Sequence, residues 1–566
     1  MKFYKYIGTI FIIGTLCSSC KRENFLNRFP QDALSQETFF KSENDLKLFC
    51  NQFYSSLPTE SPLEDNNSDN LVPRSPDVFL SGQYTVPVTG GGWSWSGIRN
   101  CNYFLANYES AQVSDSIKNI YKGEDLFFRA LYYWQLVEQF GDVPYISHYI
   151  IDTSNAELYA PRTPRKEVMD SVLTDLNFAV THLPLPQDAA PGRLNKYCAE
   201  ALKARICLWA GTYREYHGLG DQNEFLQEAV NASQDIINSG QYSIYTTGHP
   251  NQDYYNLFVQ QNLSTNPEAI MAATYIPNVL THNLTRTLNE AGTGWSQDFI
   301  NSFLCTDGLP IDMSPSYKGD DSISETAKNR DPRLMQMVAT PGTLVLSVAG
   351  SPDTLTLPRI GTNLTSTGYE IIKMKSHDPA QWNANQSDLG LFIFRYAETL
   401  LVYAEAKAEL ANEGTGSFTQ ADLDISVNLL RDRVGMPHML MTVPVDPAMA
   451  SKFPNVQGPL KNVILEIRRE RRVELAGEGF RFDDLMRWKA GPLIENPMTI
   501  LGMKLVPSIK AQYPPSQVSS IPLNPQDYIE VYPSITSRTW NDKMYLYPIP
   551  IQEITLNPKI QQNPGW

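Results

Sequence analysis

Amphipathic segments on both sides of a non-periodic middle region constrain the fold of this chain more than any other feature. Apolar residues recur every three to four positions in them, which indicates helices with one buried face. Short connectors between neighbouring segments suggest paired, tetratricopeptide-like stacking, although no clean repeat of about 34 residues is found. The predicted helices are 43–56, 98–108, 117–140, 166–183, 195–213, 223–239, 394–411, 420–434 and 460–478.

The region from 241 to 391 lacks this periodicity. Gly, Pro, Ser, Thr and Asn are frequent there, which is typical of long irregular loops that carry function. Two short strands are expected at 343–348 and 353–357, on either side of a Gly-Ser-Pro turn. The sequence therefore predicts a mainly α-helical chain. Its parts are a helical scaffold at about 35–240 and 392–490, a loop-rich insertion at about 241–391 and a Pro-rich segment at 491–566.

The first twenty residues have the composition of an export signal. A basic start precedes an apolar run from Ile7 to Leu16, which is about ten residues long and too short to span a membrane. Small residues at 18 and 19 then precede Cys20. This order predicts a lipoprotein signal at 1–19 and a lipid-anchored protein acylated on Cys20. Lipoprotein signals usually have a leucine three residues before the cysteine, and here Leu16 lies four residues before Cys20. The alternative is an ordinary cleaved signal with an incidental cysteine.

Charge and cysteine content exclude several classes of protein. The net charge of −15 argues against sequence-independent nucleic-acid binding and against a broad basic face on anionic lipid. Removal of the signal, which contains Cys17, and acylation of Cys20 leave five of the seven cysteines, an odd number. Cys198 and Cys207 are predicted on one helix, where nine residues rise about 13 Å, too far for a disulfide. We therefore expect buried free thiols and no disulfide framework.

Enzyme and cofactor motifs find no support in this sequence. There is no H-E-x-x-H, G-x-S-x-G, P-loop or G-x-G-x-x-G motif, and the seven histidines are scattered without metal-ligand spacing. We therefore predict no catalytic residue, no metal and no cofactor. A carboxylate pair for glycoside hydrolysis stays open at this point, because such partners meet only in the folded chain.

Two charged segments have both a structural and a functional interpretation. The segment 65–70 begins like a calcium loop. A calcium loop requires a glycine at its sixth position and a glutamate at its twelfth, where this chain has Asn70 and Pro76. These departures favour a solvated loop. The arginine-rich helix at 464–475 could bind an anion. Its positive and negative charges are balanced, however, which favours an internal ion-pair network with Arg471 and Glu474 as one pair.

Six segments in a fixed order carry a family resemblance. They are RALYYWQLVEQFGDVPY at 129–145, NKYCAEALKARICLWAG at 195–211, RYAETLLVYAEAKAE at 395–409, NLLRDRVG at 428–435, IRRERRVELAGEGFRFDDLMRW at 467–488 and LYPIPIQEITLNPKIQQNPGW at 546–566. Together with the lipoprotein signal, these segments resemble the SusD/RagB family of Bacteroidetes outer-membrane lipoproteins over essentially the whole chain.

The resemblance implies a fold and a function. The fold is a single SusD-like domain, 20–566, in which four tetratricopeptide-like helix pairs form a scaffold and irregular insertions pack on it. Such proteins lie at the outer membrane, facing outward, as lids on a SusC-like TonB-dependent transporter. They capture a nutrient, usually an oligosaccharide, and do not cleave it. A peptide-binding member of the family and a surface glycoside hydrolase are the alternatives.

The best predicted ligand site lies between Glu64 and Asn102. Glycan capture needs aromatic faces for sugar C–H groups and polar side chains for hydroxyls. A glycine turn at 90–92 places Trp93 and Trp95 directly before a helix, where SusD-like proteins carry a ligand-facing loop. The alternative is that both tryptophans cover the scaffold core. The predicted carbohydrate-binding set is Trp93, Trp95, Trp295, Arg74, Asp77, Asn100 and Tyr275.

Overall fold

The computed structural model describes residues 39–59, 61–152, 156–348, 351–532 and 538–566. The predicted signal and the predicted acylation site at Cys20 lie outside the described residues. In the described part, none of the helices combines the length and the apolar composition that crossing a membrane requires.

Six helices form the N-terminal part of the scaffold, and the predicted helices are confirmed within a few residues. Side chains that accept backbone N–H groups begin several of them, as Ser114 does at Ile117. Gly141, with φ of 76°, ends the longest helix where the sequence predicts a stop. The third helix packs on the fourth and the fifth on the sixth. The helices are α1 Glu43–Asn51, α2 Ser96–Asn107, α3 Asp115–Phe140, α4 Arg165–His182, α5 Lys196–Tyr216 and α6 Gln222–Asn238.

The insertion contains only short elements, as its composition predicts.

Each described strand of the chain pairs with one partner in an antiparallel two-stranded sheet: β1 with β3, β2 with β6, β4 with β5 and β7 with β8. Of these, β4 and β5 confirm the two predicted strands. The strands are β1 Leu71–Pro73, β2 Ala269–Ala273, β3 Thr293–Trp295, β4 Leu344–Leu346, β5 Asp353–Thr354, β6 Leu391–Arg395, β7 Leu501–Lys504 and β8 Tyr528–Glu530. The helices are α7 Asp253–Leu257, α8 Leu284–Glu290, α9 Gln297–Ser302, α10 Ile323–Ala327 and α11 Arg333–Met337.

The scaffold resumes where β6 leads directly into a long helix. The predicted helix 420–434 is two helices, because the chain breaks at Ile425–Ser426. The remaining α-helices are α12 Tyr396–Asn412, α13 Gln420–Asp424, α14 Val427–Arg433, α15 Pro447–Lys452, α16 Lys461–Glu474, α17 Arg481–Arg487, α18 Pro507–Lys510, α19 Pro515–Val518 and α20 Ile551–Leu556. Short 3-10 turns lie at Gln52–Ser56, Pro62–Asn67, Tyr108–Ser110, Ala156–Tyr159, Pro379–Trp382, Gly491–Glu495, Pro497–Ile500 and Asp542–Tyr545.

Two large hydrophobic clusters hold these parts together. The first joins the scaffold helices and includes Trp134, Trp209 and Trp488. The second lies in the insertion and includes Trp295. The five cysteines in the described part are buried and free, which confirms the prediction of thiols without disulfides.

The predicted ion-pair network is confirmed, and it is buried. The carboxylate of Glu474 lies 2.6 Å from Arg433 Nη2, 2.8 Å from Arg395 Nη1 and 3.0 Å from Arg333 Nη1. These guanidinium groups hold the pKa of Glu474 well below its ordinary value, although burial alone would raise it. The predicted pair of Arg471 with Glu474 is wrong, because Arg471 Nε binds Asp484 at 2.9 Å.

The segment 65–70 is not a solvated loop, and that interpretation is wrong. The segment is buried, as the exposures of Asp65, Asp69 and Asn70 show. Its side chains bind the arginine-rich part of the chain. Asp69 accepts hydrogen bonds from Arg481 at 2.7 and 2.8 Å, and the Asp65 carboxylate accepts one from the Gly477 N–H at 2.8 Å. Across the described ranges, no group of three or more acidic, histidine or cysteine side chains is placed to hold a metal ion.

Candidate functional site

The loop before α2 positions the two predicted tryptophans. Its glycines at 90, 91 and 92 have φ of 74°, 59° and 91°, a backbone conformation that other residues rarely adopt. The Trp93 N–H donates to the Gly90 carbonyl at 3.0 Å and closes the turn. Trp95 is then the residue directly before α2. The turn and the helix start together fix the direction in which both rings leave the backbone.

The two tryptophans have different exposures. Their rings meet edge to face with centroids 5.5 Å apart. Trp93 is 8% exposed and packs against Phe140 at 5.0 Å, so it is mostly part of the core. Trp95 is half-buried and keeps part of its ring free. Trp93 therefore covers the scaffold core, as one interpretation expects, and ligand binding by the partly exposed Trp95 stays a prediction.

Both tryptophans line one cavity of about 370 Å³, which we call the Trp93–Trp95 pocket. Its walls come from α2, from the loop after α3, from the 3-10 turn at Ala156–Tyr159 and from α20. Its aromatic lining residues are Trp93, Trp95, Tyr149 and Tyr159, its polar ones Arg99, Asn102, His148, Glu553 and Asn557, and its apolar ones Ile98, Pro144, Ile146, Ile150, Leu158, Leu556 and Ile560. This is a concave, mostly apolar site with a few polar groups, which is the usual form of a small-molecule site.

The polar groups divide into fixed and available ones. Arg99 is exposed, donates to the Tyr149 hydroxyl at 3.0 Å and lies over that ring at 5.2 Å. His148 and Glu157 form an exposed ion pair at the rim, 3.0 Å apart. Asn102 is buried, and its amide is already bound to the Ile146 carbonyl at 2.9 Å. Arg99 is thus the better donor to a ligand oxygen, and Asn102 is structural.

Four other predicted residues do not line this pocket. Asn100 is exposed on the other side of the loop, bonds Gln52 at 3.2 Å and lines a separate cavity of about 610 Å³. Arg74 is exposed and donates to a backbone carbonyl of the insertion. Asp77 accepts the Leu80 N–H at 2.8 Å and so caps a turn. Tyr275 is half-buried and meets the His282 ring edge-on at 4.5 Å.

Trp295 is the one predicted site residue that the structure contradicts. Its side chain is 0% exposed, and its indole N–H donates to the Met337 carbonyl at 3.1 Å. It belongs to β3 and packs on Phe299 with centroids 4.6 Å apart. The glycines around it indicate close packing of backbone rather than an exposed loop, so we exclude Trp295 from the site.

Several residues of the pocket are not predicted by the sequence. Tyr149 and Tyr159 lie in a stretch of weak periodicity after Pro144, where nothing distinguishes an exposed aromatic residue from a packed one. Glu553 and Leu556 belong to α20, more than 400 positions away from Trp95. The two tyrosines between the predicted helices that became α3 and α4 are a local signal that could have found part of this wall.

A helical scaffold with paired helices, small two-stranded sheets and an irregular insertion defines a SusD-like fold. A SusD-like carbohydrate-binding protein from Bacteroides fragilis matches with a TM-score of 0.70 and 23% identity, over 93% of this chain and 100% of that one. A structure determined with a xylogluco-oligosaccharide matches with a TM-score of 0.61 and 18% identity, over 91% of this chain and 97% of that one. The mainly α-helical, SusD-like fold is thereby confirmed.

Two family models cover nearly all of the described chain. The model of the SusD family matches residues 212–566, and one described as starch-binding and associating with the outer membrane matches residues 34–208. SusD-like protein P2 of Formosa agariphila is 25% identical over 523 residues, which are 88% of this chain and 93% of that protein. The chain belongs to the SusD family.

Proposed function

We propose that this chain is a cell-surface lipoprotein that binds an oligosaccharide or polysaccharide in the Trp93–Trp95 pocket. It passes the glycan to a SusC-like TonB-dependent transporter and does not cleave it. The observation that carries the proposal is the position of Trp95, whose ring remains partly free in a pocket with Tyr149, Tyr159 and Arg99. A sugar ring can stack on such a face while its hydroxyls meet the polar rim.

Replacing Trp95 tests the proposal. Calorimetric titration with a panel of plant, algal and bacterial oligosaccharides should find at least one saturable ligand. The Trp95→Ala variant should bind it about tenfold more weakly or worse, which corresponds to about 1.4 kcal/mol, because the stacking face is lost. Trp382→Ala is the matched control: this half-buried tryptophan lies outside the pocket, so affinity should not change. Equal affinity of wild type and Trp95→Ala would remove the pocket from the proposal.

Peptide capture is the second candidate function, and one observation favours it. Part of the pocket wall is aliphatic, with Ile146, Leu158 and Leu556, and Leu158 and Leu556 are 43% and 59% exposed. An apolar side chain of an extended peptide would bury that surface, which a hydroxylated sugar does less well. Oligopeptides therefore belong in the same titrations. Saturable peptide binding without any glycan binding would replace the leading proposal.

The lipid anchor is a separate part of the proposal. The order of residues before Cys20 supports acylation there, and the family model described as associating with the outer membrane supports the location. Metabolic labelling with a radioactive fatty acid should label the wild-type protein, and Cys20→Ala should abolish the label. Cys17→Ala should retain it, because the neighbouring residues suit cleavage before Cys20 better. Retained label in Cys20→Ala would contradict the anchor.

A further inference from the structure

An interior chamber of about 570 Å³ lies between the scaffold helices, away from the Trp93–Trp95 pocket. The two cavities share no lining residue. Its walls come from α3, α5, α12, α16 and α17, and its mouth is formed by the exposed Ser55, Pro58, Thr59 and Gln135. The volume falls within the range of about 300–1,000 Å³ that is typical of ligand sites.

Three hydrogen-bond donors in the chamber wall have no acceptor. They are the indole N–H groups of Trp134 and Trp209 and the Nη1 of Arg471, none of which has a hydrogen-bond partner within the described part of the chain. Trp134 is 7% exposed, and Trp209 and Arg471 are 4% exposed. Buried donors are nearly always satisfied, so three that converge on one chamber point to a bound molecule with oxygen acceptors.

Two carboxyl groups in the same wall have no ion pair within the described part of the chain, although nearby arginine charges favour their ionised forms. Neither Glu138 nor Asp483 has a hydrogen bond or an ion pair to any residue that the structure describes. Burial, together with repulsion from neighbouring carboxylates, raises the pKa of Asp483 to about 7 and that of Glu138 well above its ordinary value. The protein therefore disfavours the ionised form of both carboxyls, and a cation beside them would stabilise that form.

The arginines around this pair are already occupied. Arg205 binds Glu398 at 2.6 Å, and Arg471 binds Asp484 at 2.9 Å. Arg487 binds Glu405 and Asp484, at 2.5 and 2.9 Å. Arg395, further along the wall, binds Glu478 at 2.6 Å. Because each of these guanidinium groups pairs with another carboxylate, their charges only partly offset the raised pKa values of Glu138 and Asp483, and a further cation would come from a ligand.

We propose that the chamber binds a small molecule that carries a primary ammonium group together with oxygen acceptors, as in an amino sugar or an amino acid. The ammonium group lies between Glu138 and Asp483, and the oxygens accept from the two indoles and Arg471. A neutral sugar would not stabilise the ionised carboxyl pair, and a bare metal ion would leave the three donors without an acceptor. The site does not depend on the Trp93–Trp95 pocket.

Matched pairs of probes test the chamber. The full-length protein is titrated at neutral pH with D-glucosamine and N-acetyl-D-glucosamine, and with L-serine and N-acetyl-L-serine. At least one free amine should bind saturably at millimolar concentration, and its acetylated partner should bind about tenfold more weakly or not at all, because it has no charge for the carboxylates. The pair that responds identifies an amino sugar or an amino acid as the class of ligand. Equal binding of both members of each pair, or no saturable binding of either amine, would overturn the proposal.

Substitutions connect the binding to the chamber. Glu138→Gln and Asp483→Asn keep the side-chain shape and remove the charge, so each should weaken amine binding about tenfold. The two residues lie on different helices, which keeps the test valid if one variant fails to fold. Trp95→Ala, in the other pocket, should leave amine binding unchanged. Amine binding that survives both carboxyl substitutions would place the ligand elsewhere and contradict the proposal.

Discussion

Glu474 shows how single residues determine the centre of this molecule. Three arginines from three separate parts of the chain bind its carboxylate. Glu474 itself is 0% exposed. The charge balance of the helix predicts a network of this kind from sequence. The partners are not predictable, because Arg333 and Arg395 lie in the insertion and at the end of β6, far from Glu474 in sequence.

Removing this carboxylate should be costly. Glu474→Ala leaves three buried guanidinium groups without their shared partner, and we expect a loss of about 3–5 kcal/mol in the free energy of unfolding. Urea unfolding followed by circular dichroism measures it. Glu290→Ala is the control, because it breaks the exposed pair of Arg286 with Glu290 and should not change stability measurably. A loss in Glu474→Ala no larger than in that control would contradict a structural role for the network.

At the scale of elements, the contact between α2 and α3 places the aromatic face of the pocket. Gly97 lies in the first turn of α2, directly against the ring of Tyr132 on α3. A Cβ at this position would lie 2.7 Å from the ring, too close for any real contact. Glycine is therefore required here by the approach of the two helices, and Trp95 is only two residues away.

Gly97→Ala should separate these helices at the loop. We expect a loss of about 1–3 kcal/mol in the free energy of unfolding, because extra volume is forced into a packed contact. The affinity for the glycan should fall as well, since Trp95 moves with the start of α2. Adding Tyr132→Ala removes the opposing ring and should restore glycan affinity, although stability stays reduced. Unchanged affinity in Gly97→Ala would show that Trp95 is not positioned by this contact.

Elements were more predictable than the contacts between them. The long helices follow from apolar periodicity, which is a local property, and their ends from caps such as Ser114 and Gly141. The break at Ser426 and the 3-10 turn after Asn51 were missed, because they interrupt helices without a proline or glycine signal. Trp295 was misassigned because its packing on Phe299 and Met337 depends on tertiary structure.

At the scale of the whole molecule, the candidate site joins distant parts of the chain. The Trp93–Trp95 pocket takes one wall from the N-terminal scaffold and another from α20 near the C-terminus. The sequence predicts the two tryptophans but not the opposite wall, because only the complete fold brings the C-terminal helix to α2. The interior chamber depends in the same way on five helices that meet only in the folded chain.

The most direct test of glycan capture in the Trp93–Trp95 pocket is a crystal structure with the best oligosaccharide from the titrations. We expect a sugar ring stacked on Trp95 at about 4 Å, with hydroxyls near Arg99. A glycan bound only elsewhere, for example in the cavity lined by Asn100, would contradict it.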